Sequence, residues 1–340
     1  MTAIDACIEG WRRVWRAPAL VLGMLAASLA FALPLALVLR GMIAGHLGPS
    51  LAAEAALRGV NWDWWQEFAA QATGLATTFG PHVIGFAAPL SNISDLLDDR
   101  PLATVLAGAV AAWLVTWSFL SGGLIDRLAR NRRVGAAGFF MASGVHAFRL
   151  IRLGLLALAA YALLFRVVHR SLFDALLPWL TRSTPVERTA FLWRLALYAV
   201  FGLLLVGVNV VADYARIRLV VEDRHSAIGA LLAGARFVRR RLGRVLSLYA
   251  VNAATLLAVL ALYAVVAPGA GRGGWSAWAG LAVGQLFILA RVAAKLQSYA
   301  SETTLFQDSL AQAGYVARPP ATWPESPAAE LVRGEASPLV

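Results

Sequence analysis

The sequence has one cysteine, one lysine and few charges of either sign. A lone thiol, Cys7, excludes an internal disulfide and a cysteine-built metal cage. Charged residues make up 14% of the 340 and hydrophobic ones 59%, against about 25% and about 45–50% in soluble domains. That balance excludes a cytosolic enzyme, a disordered chain and a disulfide-rich secreted scaffold. Chemistry-bearing motifs are missing too. There is no H-E-x-x-H, no phosphate-binding glycine loop and no G-x-S-x-G elbow. His46, His82, His146, His169 and His225 are scattered, so the sequence points to no cofactor, no metal and no catalytic residue.

What is present is long apolar runs. A helix crossing about 30 Å of hydrocarbon needs about 20 mainly apolar residues. Six stretches fit: 17–39, 102–125, 153–172, 195–212, 245–267 and 275–290. The third carries Arg166, His169 and Arg170 in its outer half, where long side chains can reach the headgroups. The first is too long for a signal peptide and no small-residue cleavage site closes it. The expected fold is therefore all-α, a polytopic membrane protein with six transmembrane helices.

The formal charge of +11 would suggest nucleic acid in a soluble domain. In a membrane protein it is sorted by side, because Lys and Arg collect on cytoplasmic loops. With the N-terminus inside, twenty-one of the thirty basic residues fall on the inner side and nine on the outer. The expectation is a bacterial inner-membrane protein with both termini cytoplasmic, and no nucleic-acid partner.

Each outward span follows a stretch with helical periodicity. Ile4, Ile8, Trp11 and Trp15 share one face before the first, with Arg12, Arg13 and Arg16 opposite. Before the third, Phe140, Gly144, Phe148 and Ile151 line up, with His146, Arg149 and Arg152 opposite. Before the fifth, Ile228, Leu231, Ala235, Val238, Leu242 and Val245 recur, while Arg236, Arg240 and Arg244 project away; Phe237 falls off this stripe. Gly10, Gly144 and Gly234 each stand four residues before an apolar side chain. The unit is a cytoplasmic amphipathic interfacial helix, a span out and a span back, giving three two-span units. Arg12, Arg13, Arg16, Arg149, Arg152, Arg236, Arg239, Arg240, Arg241 and Arg244 are the candidate contacts to anionic lipid headgroups of the bilayer.

Residues 1–314 form a single transmembrane domain in this reading. Within it, 40–101 is an extracytoplasmic helical cap around Trp62, Trp64, Trp65 and Phe68, and 315–340 a disordered, proline-rich cytoplasmic tail. The apolar run 75–90, broken at Gly80 and Pro81, suits a folded cap or a re-entrant hairpin. A short interfacial helix is expected around 173–185, and the loop 268–274 is short.

Ionisable residues gather at the span ends. Asn209 and Asp213 lie one turn apart with Arg216 three further on, Asp126 follows the second span, and Arg291 and Lys295 follow the sixth. Charges near a bilayer are costly unless paired or wet. These residues either tie helices together or line a substrate path.

The run from Asp213 through Tyr214, Ala215, Arg216, Ile217 and Arg218 to Glu222, Asp223 and Arg224, followed by 227–241 and a span, resembles bacterial six-span proteins similar to the membrane domain of some glycerophosphodiester phosphodiesterases. The resemblance covers about residues 200–265. It implies a helical polytopic fold and supplies no catalytic residue, and the accompanying hydrolase barrel is absent here. Two functional expectations follow: a non-enzymatic protein that organises lipid or partners through a basic collar, or a permease with a polar path at Asp126, Asp213, Arg291 and Lys295.

Overall fold

A computed structural model of the chain describes residues 1–48, 50–58, 61–80, 87–101, 103–183, 186–267 and 274–311. These residues are helical, with no strand among them. In chain order the helices are α1 (Ala3–Trp15), α2 (Pro18–Leu47), α3 (Ala53–Arg58), α4 (Trp62–Gln71), α5 (Ala87–Leu97) and α6 (Thr104–Arg130). Then come α7 (Ala136–Leu163), α8 (Leu177–Thr181), α9 (Glu187–Val221), α10 (Ala227–Arg240), α11 (Leu242–Val266) and α12 (Trp275–Ala311). A 3₁₀ turn, Gly74–Thr78, follows α4.

Six of these units are long and apolar enough to cross a membrane: α2, α6, the continuous helix Ala136–Thr181, α9, α11 and α12. All outrun the apolar stretches seen in the sequence except α11, which matches closely. Hydrocarbon thickness limits the greasy run only, and a helix that satisfies its own backbone continues into polar surroundings. The extreme case is α7, which passes through two π-wound segments, Leu164–His169 and Ser171–Leu176, into α8. The short interfacial helix expected around 173–185 is thus the outer part of this span as far as Thr181. His169 is buried there among Phe165, Phe173 and Phe201, and its ring contacts the Leu97 carbonyl at 2.9 Å.

Packing is uneven along the membrane normal. One end, termed the collar, carries α1, α10 and the adjoining turns of the spans. Buried residues concentrate there, at 121–128 of α6, 210–220 of α9, Val245, Leu248 and Asn252 of α11, and 294–309 of α12. Towards the opposite end, the cap, the spans present Leu, Val and Phe outward, and α2 buries Met24 alone. Lipid tails are as apolar as these side chains, so nothing drives them against one another. The cap docks on the far end of α2, where Trp64 donates to His46 Nδ1 at 3.1 Å and stacks on Phe68. Asp98, after α5, accepts the Tyr198 hydroxyl of α9. The turn at Pro81 and His82, most of the loop from Pro268, and the proline-rich tail lie outside the described residues.

The collar is closed by caps. Thr2 and Asp5 form a reciprocal capping box on α1, and Ser226 accepts from the Gly229 amide at the start of α10; such caps contribute about 1 kcal/mol each. The last carbonyls of α6 have no intrahelical partners. Arg13 donates to the Leu128 carbonyl at 3.0 Å, and Gln307 donates to that of Ala129 at 3.1 Å and accepts from Arg13 at 3.0 Å.

Candidate functional site

Asp213 is 1% exposed and sits where α9, α11 and α12 meet. Its carboxylate accepts from Asn209 Nδ2 at 3.1 Å, Arg216 at 2.5 Å, the Tyr249 hydroxyl at 3.1 Å and the Tyr299 hydroxyl at 3.2 Å. Arg216 also donates to Tyr299 at 3.2 Å. Lys295 folds its ammonium over the Tyr299 ring, 4.8 Å from the centroid. Glu302, 2% exposed, lies within electrostatic reach of Asp213 and Lys295, and its Oε2 has no hydrogen-bond partner among the described residues. The Asp213 carboxylate, by contrast, is satisfied on both oxygens, so removing one of its partners would leave a charge stranded in low dielectric.

Of the sequence candidates, Asn209, Asp213, Arg216 and Lys295 therefore come together. Asp126 and Arg291 do not join them. Asp126 holds Arg130 one turn on at 2.7 Å. Arg291 lies over Phe287 in a shallow hollow with Asn92 and Tyr263, towards the cap. Three residues of the cluster escaped sequence reading: Tyr249, Tyr299 and Glu302. The signal was present, because Lys295, Tyr299 and Glu302 recur at spacings of four and three and so share one helix face. They were missed because the sixth apolar run ends at 290, well before them.

Beside this cluster runs a second buried network. Gln297 donates to Asn252 Oδ1 at 3.1 Å, Asn252 donates to Ser301 at 3.1 Å, and Gln297 donates to Cys7 Sγ at 3.2 Å. Burial pushes the Cys7 thiol above its usual range. Among the described residues no group of His, Cys, Asp and Glu side chains gathers as a metal site.

The remaining residues of the 213–224 run tie α9 to its neighbours. Tyr214 packs against Phe237, and the Ala215 backbone abuts Gly234. Arg218 donates to Glu222 at 2.8 Å and to the Ala233 carbonyl at 2.8 Å, Arg224 also holds Glu222, and Asp223 takes Arg149 of α7 at 2.5 Å. The Arg149 guanidinium holds the Asp223 carboxyl below the usual carboxylate range.

The short helices have three faces rather than two. In α1 the small residues Ala6, Cys7, Gly10 and Val14 are buried, with Gly10 against the α12 backbone at Gln297 and Ser301. Ile4, Ile8 and Trp15 stay exposed, and Arg12 and Arg16 point elsewhere. In α10 the buried face is Ala227, Ala230, Ala233, Gly234, Phe237 and Val238, while Ile228 and Leu232 are exposed. The sequence stripe through Ile228, Leu231 and Val238 mixes these two faces. Phe237 is the anchor on the protein side, meeting Tyr214 and Phe306. The stretch before the third span is no separate helix but the first turns of α7, with Ser143, His146 and Leu150 inward and Phe140 and Phe148 exposed.

The ten candidate lipid arginines divide accordingly. Arg13, Arg149 and Arg241 are spent on internal contacts, the last donating to the Ser309 carbonyl at 3.2 Å and lying over Phe237. Arg12 makes one long contact with Glu9 at 3.8 Å, and Arg152 lies over Phe148 of its own helix. Arg16, Arg236, Arg239, Arg240 and Arg244 are exposed.

No protein-family model matches the chain, and no curated protein or solved structure is detectably similar to it.

Proposed function

We propose that this is a non-enzymatic protein of the bacterial inner membrane, with both termini cytoplasmic, that gathers anionic lipid around a basic collar. Its spans would form three out-and-back pairs, with α1 and α10 lying in the inner headgroup layer. The observation that carries the reading is the three-faced construction of those helices. A purely protein-bound helix would have no use for an exposed row such as Ile4, Ile8 and Trp15 next to arginines. A helix half sunk in headgroups needs both.

Each arginine near an anionic surface contributes about 1 kcal/mol of attraction. Arg236, Arg239 and Arg240 cluster on α10 and hold no carboxylate within 4.0 Å among the described residues. The alternative of a permeation path through Asp126, Asp213, Arg291 and Lys295 finds less support. Those residues do not share one wall, and the Asp213 carboxylate has no free face for a permeant ion.

The test is reconstitution in mixed phosphatidylglycerol and phosphatidylcholine bilayers with spin-labelled lipids. The motionally restricted boundary fraction is expected to be richer in phosphatidylglycerol, less so at high salt, and less so in the triple variant Arg236→Gln, Arg239→Gln, Arg240→Gln. Equal boundary fractions of the two lipids would overturn the reading.

A further inference from the structure

A large hollow lies between the first half of α2, the collar half of α6 and the start of α7. Its volume is about 910 Å³, near the upper end for small-molecule sites. Its walls are apolar, including Leu20, Met24, Leu120, Leu124 and Phe139. At the collar end it is ringed by Arg16, Arg127 and Arg133.

Arg127 is the unusual member. It is only 7% exposed, yet no carboxylate lies within 4.0 Å among the described residues. Among the described residues its guanidinium, with five donors, makes a single long hydrogen bond, 3.4 Å to the Arg16 carbonyl. Arg16 and Arg133 are likewise without a carboxylate partner among the described residues. Three positive charges at one mouth, one of them buried, create a demand for an anion that the protein does not meet.

The dimensions specify what sort of anion. From Arg16 at the α1–α2 junction to Ala27 on α2, and from Arg127 to Thr116 on α6, the walls run eleven residue steps. At about 1.5 Å each that is roughly 16 Å, about half the hydrocarbon thickness. The crevice is one leaflet deep, charged at the surface and apolar below. Gly23 lies on its wall, and a β-carbon added there would have no neighbour within 4 Å.

We infer that this crevice holds one anionic phospholipid of the collar-side leaflet, its phosphate among Arg16, Arg127 and Arg133 and an acyl chain between α2 and α6. The inference rests on the lipid reading above but concerns a single held molecule rather than the boundary layer. Basic pockets between spans are suited to this recognition.

Native mass spectrometry of delipidated protein in mild detergent, titrated with phosphatidylglycerol or phosphatidylcholine, tests it. The wild type is expected to retain one phosphatidylglycerol and to release phosphatidylcholine at the same activation energy. Gly23→Leu projects a branched side chain into the crevice from a position where an added β-carbon has no neighbour within 4 Å, and Arg127→Met removes the buried charge; both are expected to lose the adduct. Arg239→Gln with Arg240→Gln is expected to keep it, which separates this site from the collar. An unchanged melting temperature for Gly23→Leu in detergent without lipid shows that the fold is intact. An adduct that survives Gly23→Leu overturns the site, and equal retention of both lipids overturns the headgroup assignment. A dimer or a protein partner that dissociates on Gly23→Leu would assign the crevice to another occupant and overturn the inference.

Discussion

At the scale of single residues, the decisive positions are small ones. A methyl group on Gly10 would stand 3.0 Å from the Gln297 carbonyl and from Ser301, and one on Gly234 would stand 3.0 Å from the Ala215 nitrogen. These contacts are with backbone, which has little room to give, so overpacking there costs about 1–3 kcal/mol. Gly144 occupies the same place in the sequence pattern, but nothing lies within 4 Å of it. Alanine in an unobstructed helix interior gains up to about 1 kcal/mol over glycine. Thermal unfolding in detergent should therefore show Gly10→Ala less stable than wild type and Gly144→Ala equal or more stable. Cys7 supplies a second readout, since its buried, hydrogen-bonded thiol should react slowly with maleimide until α1 is dislodged by the Gly10 substitution. Equal melting points and equal thiol reactivity for the two alanine variants would refute the close approach. The glycine spacing was visible in the sequence, but its meaning was not. A pattern four residues long carries no sign of whether a span backbone waits opposite.

At the scale of elements, α10 shows how an apolar stripe misleads in a membrane. In water the greasiest face turns to the protein core. Here Ile228 and Leu232 stay exposed, and the protein takes the side where small residues allow close approach. Phe237 looked misplaced only because the stripe was drawn through the exposed side. Asn209, Asp213 and Arg216 were legible as a group because their spacing of four and three puts them on one face. Their partners on α11 and α12 were not, since which spans adjoin is decided by packing at the collar. The α9–α10 turn yields a pH prediction. With its carboxyl held below the ordinary value of 3.8 by Arg149, Asp223 adds stability that is complete above that value. It shrinks as the pH falls below 3.8 and is gone once the lowered value is passed. The effect is small because Asp223 is 66% exposed and screened by solvent. The melting-temperature gap between wild type and Asp223→Asn should stay constant from pH 8 to 5 and close below 3.8. A gap that instead opens or closes between pH 8 and 5 would assign the effect to a group other than Asp223.

At the scale of the whole molecule, the number of crossing helices was legible from the apolar runs alone, because hydrocarbon thickness is an external ruler. The continuous helix from Ala136 to Thr181 was not, since the apolar run ends at 172 and the stretch 173–185 read as a separate interfacial helix. Arginine asymmetry predicts that the collar faces the cytoplasm. A membrane-impermeant maleimide applied to intact cells should label Gln71→Cys on the cap and spare His225→Cys on the collar, both exposed positions. Labelling of the second but not the first would invert the orientation. One contact has a temporal meaning as well. Gln297 grips Cys7 across 290 positions of sequence, and the Met1 ammonium meets Asp308 at 3.3 Å. During translation the small-residue side of α1 has no complete seat until α12 has left the ribosome. On the lipid reading proposed above, Ile4, Ile8 and Trp15 would hold α1 at the bilayer surface until then, a temporary mooring while the rest of the polypeptide is inserted.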